Sequence, residues 1–148
     1  MSDLLLDQLG YASVDVLGLS WGGFLAQKKT RRYSRRVNKL VLALTSAGGM
    51  TMTQGSPKVI LEMNFPRHYF SRAYRDKILP VLYGGRTKSQ PELVIAHAER
   101  NISPPLYGYY SQLLVSGLWT SLHWPHTIQQ PTLVISAEND PLIPKINQ

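Results

Sequence analysis

The chain has 148 residues, 43% hydrophobic and 17% charged, the balance of a soluble globular domain long enough to bury a core. It has no cysteine, which excludes disulfides, thiolate chemistry and cysteine-held metal. No apolar run approaches the ~18 residues of a membrane span, and an N-terminus with Asp3 and Asp7 but no basic group is not that of a signal peptide, so a cytoplasmic location is expected.

The net charge of +7 is local. Seven basic residues fall between Lys28 and Lys39, and the other nine are matched by nine acidic ones. A nucleic-acid reader carries aromatics and a recognition motif with such a patch; here only Tyr33 lies within it, so no nucleic-acid partner is expected. Two readings stay open: a solvated helix end, or a patch for an anionic surface such as a phospholipid-coated particle.

In chain order, residues 3–9 predict the tail of a helix, with Leu5, Leu6 and Leu9 on one face and Gly10 as its stop. Residues 14–19 predict a buried strand. Gly18, Ser20 and Gly22 then spell G-x-S-x-G, and residues 21–30 predict a helix with Trp21, Phe24 and Leu25 on one face. Strand, Ser between glycines and helix form the context of a nucleophile elbow, a sharp turn that strains the serine backbone and lifts its hydroxyl above the sheet. Gly18 and Gly22 are expected to sit where strand and helix leave no room for a Cβ, and Gly23 to extend that close packing into the first helical turn. The N–H of Trp21, at the helix start, can face an oxyanion on Ser20. Residues 39–44 predict a second buried strand, parallel to the first across a βαβ crossover.

Residues 48–127 change character. Ser56-Pro57 predicts an N-cap with Pro at N1, opening a helix over 58–65 before Pro66. Ser89 and Glu92 have capping-box spacing ahead of Leu93, Ala96 and His97. Leu106, Tyr109, Tyr110, Leu113, Leu114 and Gly117 recur as on an amphipathic helix. The segment reads either as an apolar lid or as a plain helical insertion. Pro131 then opens a third buried strand, and Asp140, held extended by Pro141, lies just past its carboxyl end. There it is the candidate acid to orient a base. The expected division is an α/β core of 1–47 and 128–148, with a helical cap of 48–127.

The stretches VDVLGLSWGGFLAQ (14–27), LVLALTSAG (40–48), PELVIAHA (91–98), GYYSQ (108–112), GLWTSLHW (117–124) and QPTLVISAENDPLIP (130–144) resemble the α/β-hydrolase superfamily, and within it the intracellular medium-chain-length polyhydroxyalkanoate depolymerases. The resemblance implies an α/β fold with a three-strand parallel remnant and a cap insertion. It also implies a cofactor-free, metal-free enzyme on polyester storage granules that cleaves 3-hydroxyacyl esters. By position, Ser20 matches the nucleophile, Trp21 the oxyanion N–H and Asp140 the acid. In that superfamily the histidine follows the acid, whereas His68, His97, His123 and His126 all precede Asp140. The chain is therefore expected to be the middle of such an enzyme, lacking its earlier strands and its histidine. The alternatives are a non-catalytic fragment or granule-binding module, and another α/β-hydrolase such as a carboxylesterase or lactonase.

Overall fold

A computed structural model describes residues 2–49, 55–65, 67–100 and 105–148. They form two compact units: one of Met1–Met50, Leu118–Ser136 and Gln148, the other of Thr51–Gly117 and Ala137–Asn147. These differ from the expected division at three places. Residues 48–50 and 118–127 group with the strands and 137–147 with the helices, the last two for packing reasons given below.

The first unit starts with α1 (Ser2–Gln8). Gly10, at φ 74, ends it as expected, its N–H bonded to Asp7 O at 3.1 Å. The strands are β1 (Val14–Leu19), β2 (Val37–Ala43) and β3 (Thr132–Ile135), paired parallel in the order β1-β2-β3. Gly18 lies opposite Leu42, and Leu42 opposite Val134. The expected full burial holds only for part of central β2, where Val37 and Leu40 are buried. Leu17 on β1 is 67% exposed and Leu133 on β3 is 57% exposed, because both strands are edges of a three-strand sheet.

Helix α2 (Trp21–Arg32) crosses from β1 to β2. Phe24 and Ala26 bury their side chains, while Leu25 faces outward. The face toward the interior also carries Gln27, which explains why residues 118–124 belong to this unit. Gln27 Nε2 donates to Ser46 O at 2.9 Å, the Ser121 hydroxyl donates to Gln27 Oε1 at 2.6 Å, and Ser121 N–H donates to Ala47 O at 2.7 Å. Phe24 stacks on Trp119 at 4.5 Å, Trp119 meets Trp124 edge-on at 6.0 Å, and the Arg31 guanidinium lies 4.7 Å over Trp124. Residues 24, 27 and 31 share one helical face, so one stripe of α2 binds the whole segment by a buried amide and a row of rings.

The second unit is helical: α3 (Pro57–Asn64), α4 (Arg72–Tyr83), α5 (Glu92–Arg100) and α6 (Leu106–Leu118), the last ending at the unit boundary. Its core includes Val59, Ile78, Leu79, Val94 and Tyr109. The tyrosines of α6 satisfy carbonyls that the end of α3 leaves open: Tyr109 Oη donates to Met63 O at 2.8 Å and Tyr110 Oη to Asn64 O at 3.2 Å. Tyr74 Oη donates to Glu62 Oε1 at 2.6 Å, and Arg72 pairs with Glu99. Pro57 opens α3 as expected, although Ser56 makes no side-chain cap; the expected Pro66 stop lies outside the described residues. The Ser89–Glu92 capping box does not form. Glu92 is itself the first residue of α5, and Ser89 Oγ donates to Arg86 O at 3.0 Å, closing the turn before it.

Candidate active site

Ser20 is the residue between β1 and α2, and two hydrogen bonds fix its backbone. Its N–H donates to Ala43 O at 2.8 Å, continuing the β1–β2 ladder, and its carbonyl accepts from Gly23 N–H at 2.8 Å, opening α2. A residue that must be the last rung of a ladder and the first of a helix has little backbone choice. Ser20 stands at φ 50, ψ −122, a region that costs a non-glycine residue ~1–3 kcal/mol and persists only where its surroundings over-determine it. Serine at a helix start ordinarily caps the helix with its side chain; Ser20 makes no such bond, and the residue is exposed. Its hydroxyl is thus left open to solvent.

The expected close packing holds at Gly18 and Gly23 and fails at Gly22. A Cβ on Gly18 would lie 2.6 Å from Ala26 Cβ, 2.7 Å from Gly22 O and 2.7 Å from Gly23 Cα. A Cβ on Gly22 would meet nothing within 4 Å, whereas one on Gly23 would collide with the Thr45 side chain. The close approach therefore runs through Gly18 and Gly23, and Gly22 contributes its carbonyl rather than missing bulk. Trp21 is the first residue of α2, where helix geometry offers its N–H no intrahelical acceptor. Of the buried polar atoms without a hydrogen-bond partner among the described residues, Trp21 Nε1 and Thr45 Oγ1 lie on residues at the bend or against Gly23, and the others lie elsewhere. Leu44, the residue after β2, is also at positive φ (48°) while its N–H donates to Ile135 O at 2.8 Å. The sequence carried no sign of this second bend.

Asp140 lies in the second unit. Its Oδ1 accepts from Leu142 N–H and Ile143 N–H, both at 2.9 Å, the geometry of an Asx turn. That turn is seated on the helical unit, which is why 137–147 group there. Ser56 N–H donates to Pro141 O at 2.7 Å, and a Cβ on Gly84, at φ 67, would lie 2.6 Å from Asn139 O. One carboxylate oxygen is spent on the turn, leaving Oδ2 available to another donor.

The histidines scatter. His123 and His126 are exposed in the first unit, on either side of buried Trp124 and Pro125. His68, in the second, is half-buried and meets the Tyr109 ring edge-on at 6.4 Å. Burial lowers its pKa below 6.5, opposed by the charge of Glu62. His97 lies on α5 and its side chain is outside the described residues. Among the described residues no group of three or more His, Asp or Glu is arranged to hold a metal ion, and no helix is long and apolar enough to cross a membrane.

The sequence family described as alpha/beta hydrolase fold matches residues 1–148. A poly(3-hydroxyalkanoate) depolymerase of Ectopseudomonas oleovorans is 48% identical over 143 residues, 97% of this chain and 50% of that protein. The chain thus spans about half the length of the curated relative it matches. Among solved structures, a hydrolase of Pseudomonas aeruginosa PA01 is similar at a TM-score of 0.74 and 20% identity, over 99% of this chain and 55% of that one. The enol-lactonase of Burkholderia xenovorans LB400 is similar at 0.66 and 24% identity, over 89% and 50%. At such identities the structural likeness speaks for the fold.

Proposed function

Because the chain belongs to the α/β hydrolase fold family, we propose that it carries the nucleophile and acid of a serine ester hydrolase acting on poly(3-hydroxyalkanoate). The observation that supports this most is the backbone of Ser20: a non-glycine residue at φ 50, with a hydroxyl left uncapped at a strand-to-helix bend. The substrate class is inferred from the 48% identical depolymerase.

In this reading Ser20 Oγ attacks the ester carbonyl while a histidine base takes its proton, forming a tetrahedral oxyanion that the Trp21 N–H stabilises. The histidine returns the proton to the departing alkoxide of the chain, leaving an acyl group on Ser20. Water, deprotonated by the same histidine, releases the 3-hydroxyacid and restores Ser20. Asp140 orients the histidine through the oxygen not engaged by its own turn. No cofactor enters. The base is assigned to a histidine outside these 148 residues, following the acid in the order of this family. The reading implies a cytoplasmic protein at polyester granules.

The arrangement of the histidines favours a second reading, a non-catalytic module that keeps the fold without turnover. Loss of a triad histidine costs about 10⁶ in kcat, so this chain alone would turn over near background, and free imidazole would be its only base. The test is hydrolysis of a medium-chain 3-hydroxyacyl ester with and without imidazole in the buffer. The catalytic reading expects imidazole-dependent turnover that Ser20→Ala removes and Asp140→Asn lowers. Turnover that survives Ser20→Ala refutes it, and the absence of turnover under all conditions selects the module.

A further inference from the structure

The seven basic residues between Lys28 and Lys39 take no part in the chemistry above. Lys28, Arg31, Arg32, Arg35 and Lys39 are exposed, and none of the five has an acidic partner among the described residues. Arg36 is the exception and acts as an anchor. It pairs with Asp7 at 2.7 Å and donates to Tyr11 O at 3.0 Å. Gln130 Nε2, donating to Ser34 O at 2.8 Å, holds the turn at Ser34–Arg36 from the other side. Lys28, Arg32 and Arg35 are thus displayed on a helix end and turn that are pinned in place, while Arg31 lies over Trp124 and Lys39 stands on β2.

The helix dipole accounts for part of this cluster. The C-terminal end of a helix carries about half a negative charge, which favours Lys29, Arg31 and Arg32 in the last turn of α2. It does not account for Arg35 and Lys39, which lie beyond the helix, nor for an excess of positive charge several times larger than the dipole. Such a patch calls for an extended anionic partner.

We propose that this basic end of α2 and the turn after it dock the protein on an anionic phospholipid surface. One observation favours lipid over nucleic acid. Leu25, 56% exposed, stands at i−3 and i−7 from Lys28 and Arg32 on the same face of α2. An apolar side chain beside flexible cations is the pattern of an interfacial helix, whose apolar group enters the headgroup boundary while the charges meet phosphates. The inference does not depend on the chemistry at Ser20.

Each cation close to an anionic membrane raises partitioning about fivefold, so removing three should weaken it by about 10². The experiment is co-sedimentation of the chain with phosphatidylcholine vesicles and with vesicles containing phosphatidylglycerol, at low salt and in about 0.5 M NaCl, where charges more than a few ångströms apart are screened. Binding is expected only to the phosphatidylglycerol vesicles, and only at low salt. The variant Lys28→Glu/Arg32→Glu/Arg35→Glu should abolish it, and Lys28→Arg/Arg32→Lys/Arg35→Lys should keep it. Equal binding to phosphatidylcholine, binding unchanged by salt or by the charge reversals, loss in the charge-conserving variant, or stronger binding to a single-stranded oligonucleotide than to the anionic vesicles would each overturn the proposal.

Discussion

The bend at Ser20 and the turn at Asp140 hold their functional side chains by opposite means. Ser20 is forced: a ladder bond on one side, a helix bond on the other and a Gly18 without room for a Cβ leave it in a strained conformation. Asp140 is self-supporting, its carboxylate bonding two backbone N–H groups of its own turn. The units around them differ less sharply. Both use close backbone approach, at Gly18 and Gly23 in the first and at Gly84 in the second; the first adds a buried amide, the second hydroxyls and an ion pair nearer the surface. Backbone-enforced geometry tolerates little change, whereas side-chain geometry tolerates more.

Substitutions can sharpen that contrast. The largest effect is expected at Gly18. Gly18→Ala should lower stability by about 3 kcal/mol, the upper end of overpacking costs, because two of the three atoms its methyl would meet are backbone. Gly22→Ala, with open space around it, should be neutral or stabilising by about 0.5 kcal/mol, since alanine favours a helix; thermal melts of the pair give the difference. Gln27→Ala should cost about 2 kcal/mol, because it strands the buried Ser46 carbonyl and leaves the Ser121 hydroxyl only its longer bond to Ala47 O. Equilibrium urea unfolding measures it. In the second unit, Tyr109→Phe removes one hydrogen bond to Met63 O and should cost about 1 kcal/mol. Glu99→Gln, at the exposed pair with Arg72, should cost less than about 1 kcal/mol. A first unit that yielded no more than the second would erase the distinction.

The smallest effect is one of pH. Burial favours the neutral form of His68 and lowers its pKa below 6.5, so the folded state binds fewer protons there than the unfolded chain. The stability this represents is complete above pH 6.5 and is lost as pH falls through the lowered folded value. His68→Gln should flatten melting temperature against pH over that acid window and leave it unchanged above.

Much of the first unit was legible because its constraints are local. A β-branched run, two glycines around a serine and a second apolar run predict parallel strands, and the strands lie within two residues of their expected starts. What escaped was which glycine meets which neighbour. Gly22 and Gly23 look alike in a sequence, and only the register of α2 against Thr45 separates them. The exposure of β1 and β3 follows from the three-strand sheet that the resemblance implied, which leaves both edges and much of a face unpaired. Residues 118–127 read as part of the cap, but their tie to α2 runs through Gln27 and Ser121, 94 residues apart, a pairing no local pattern announces. In the second unit, α6 forms where its periodicity places it, but of the predicted apolar face only Tyr109 is buried, and Tyr110 and Leu114 are exposed. The Ser89–Glu92 spacing misled because a capping box needs Ser at the helix start, and Pro91 sets that start two residues later.

The account's central claim, that the bend makes the Ser20 oxygen the reactive one, is tested most directly by a fluorophosphonate probe with imidazole in the buffer, followed by peptide mass analysis. The account predicts a phosphonyl group on the peptide containing Ser20, absent from Ser20→Ala and from chain unfolded in urea. A phosphonyl group on other serines, or one that persists in Ser20→Ala, would contradict it.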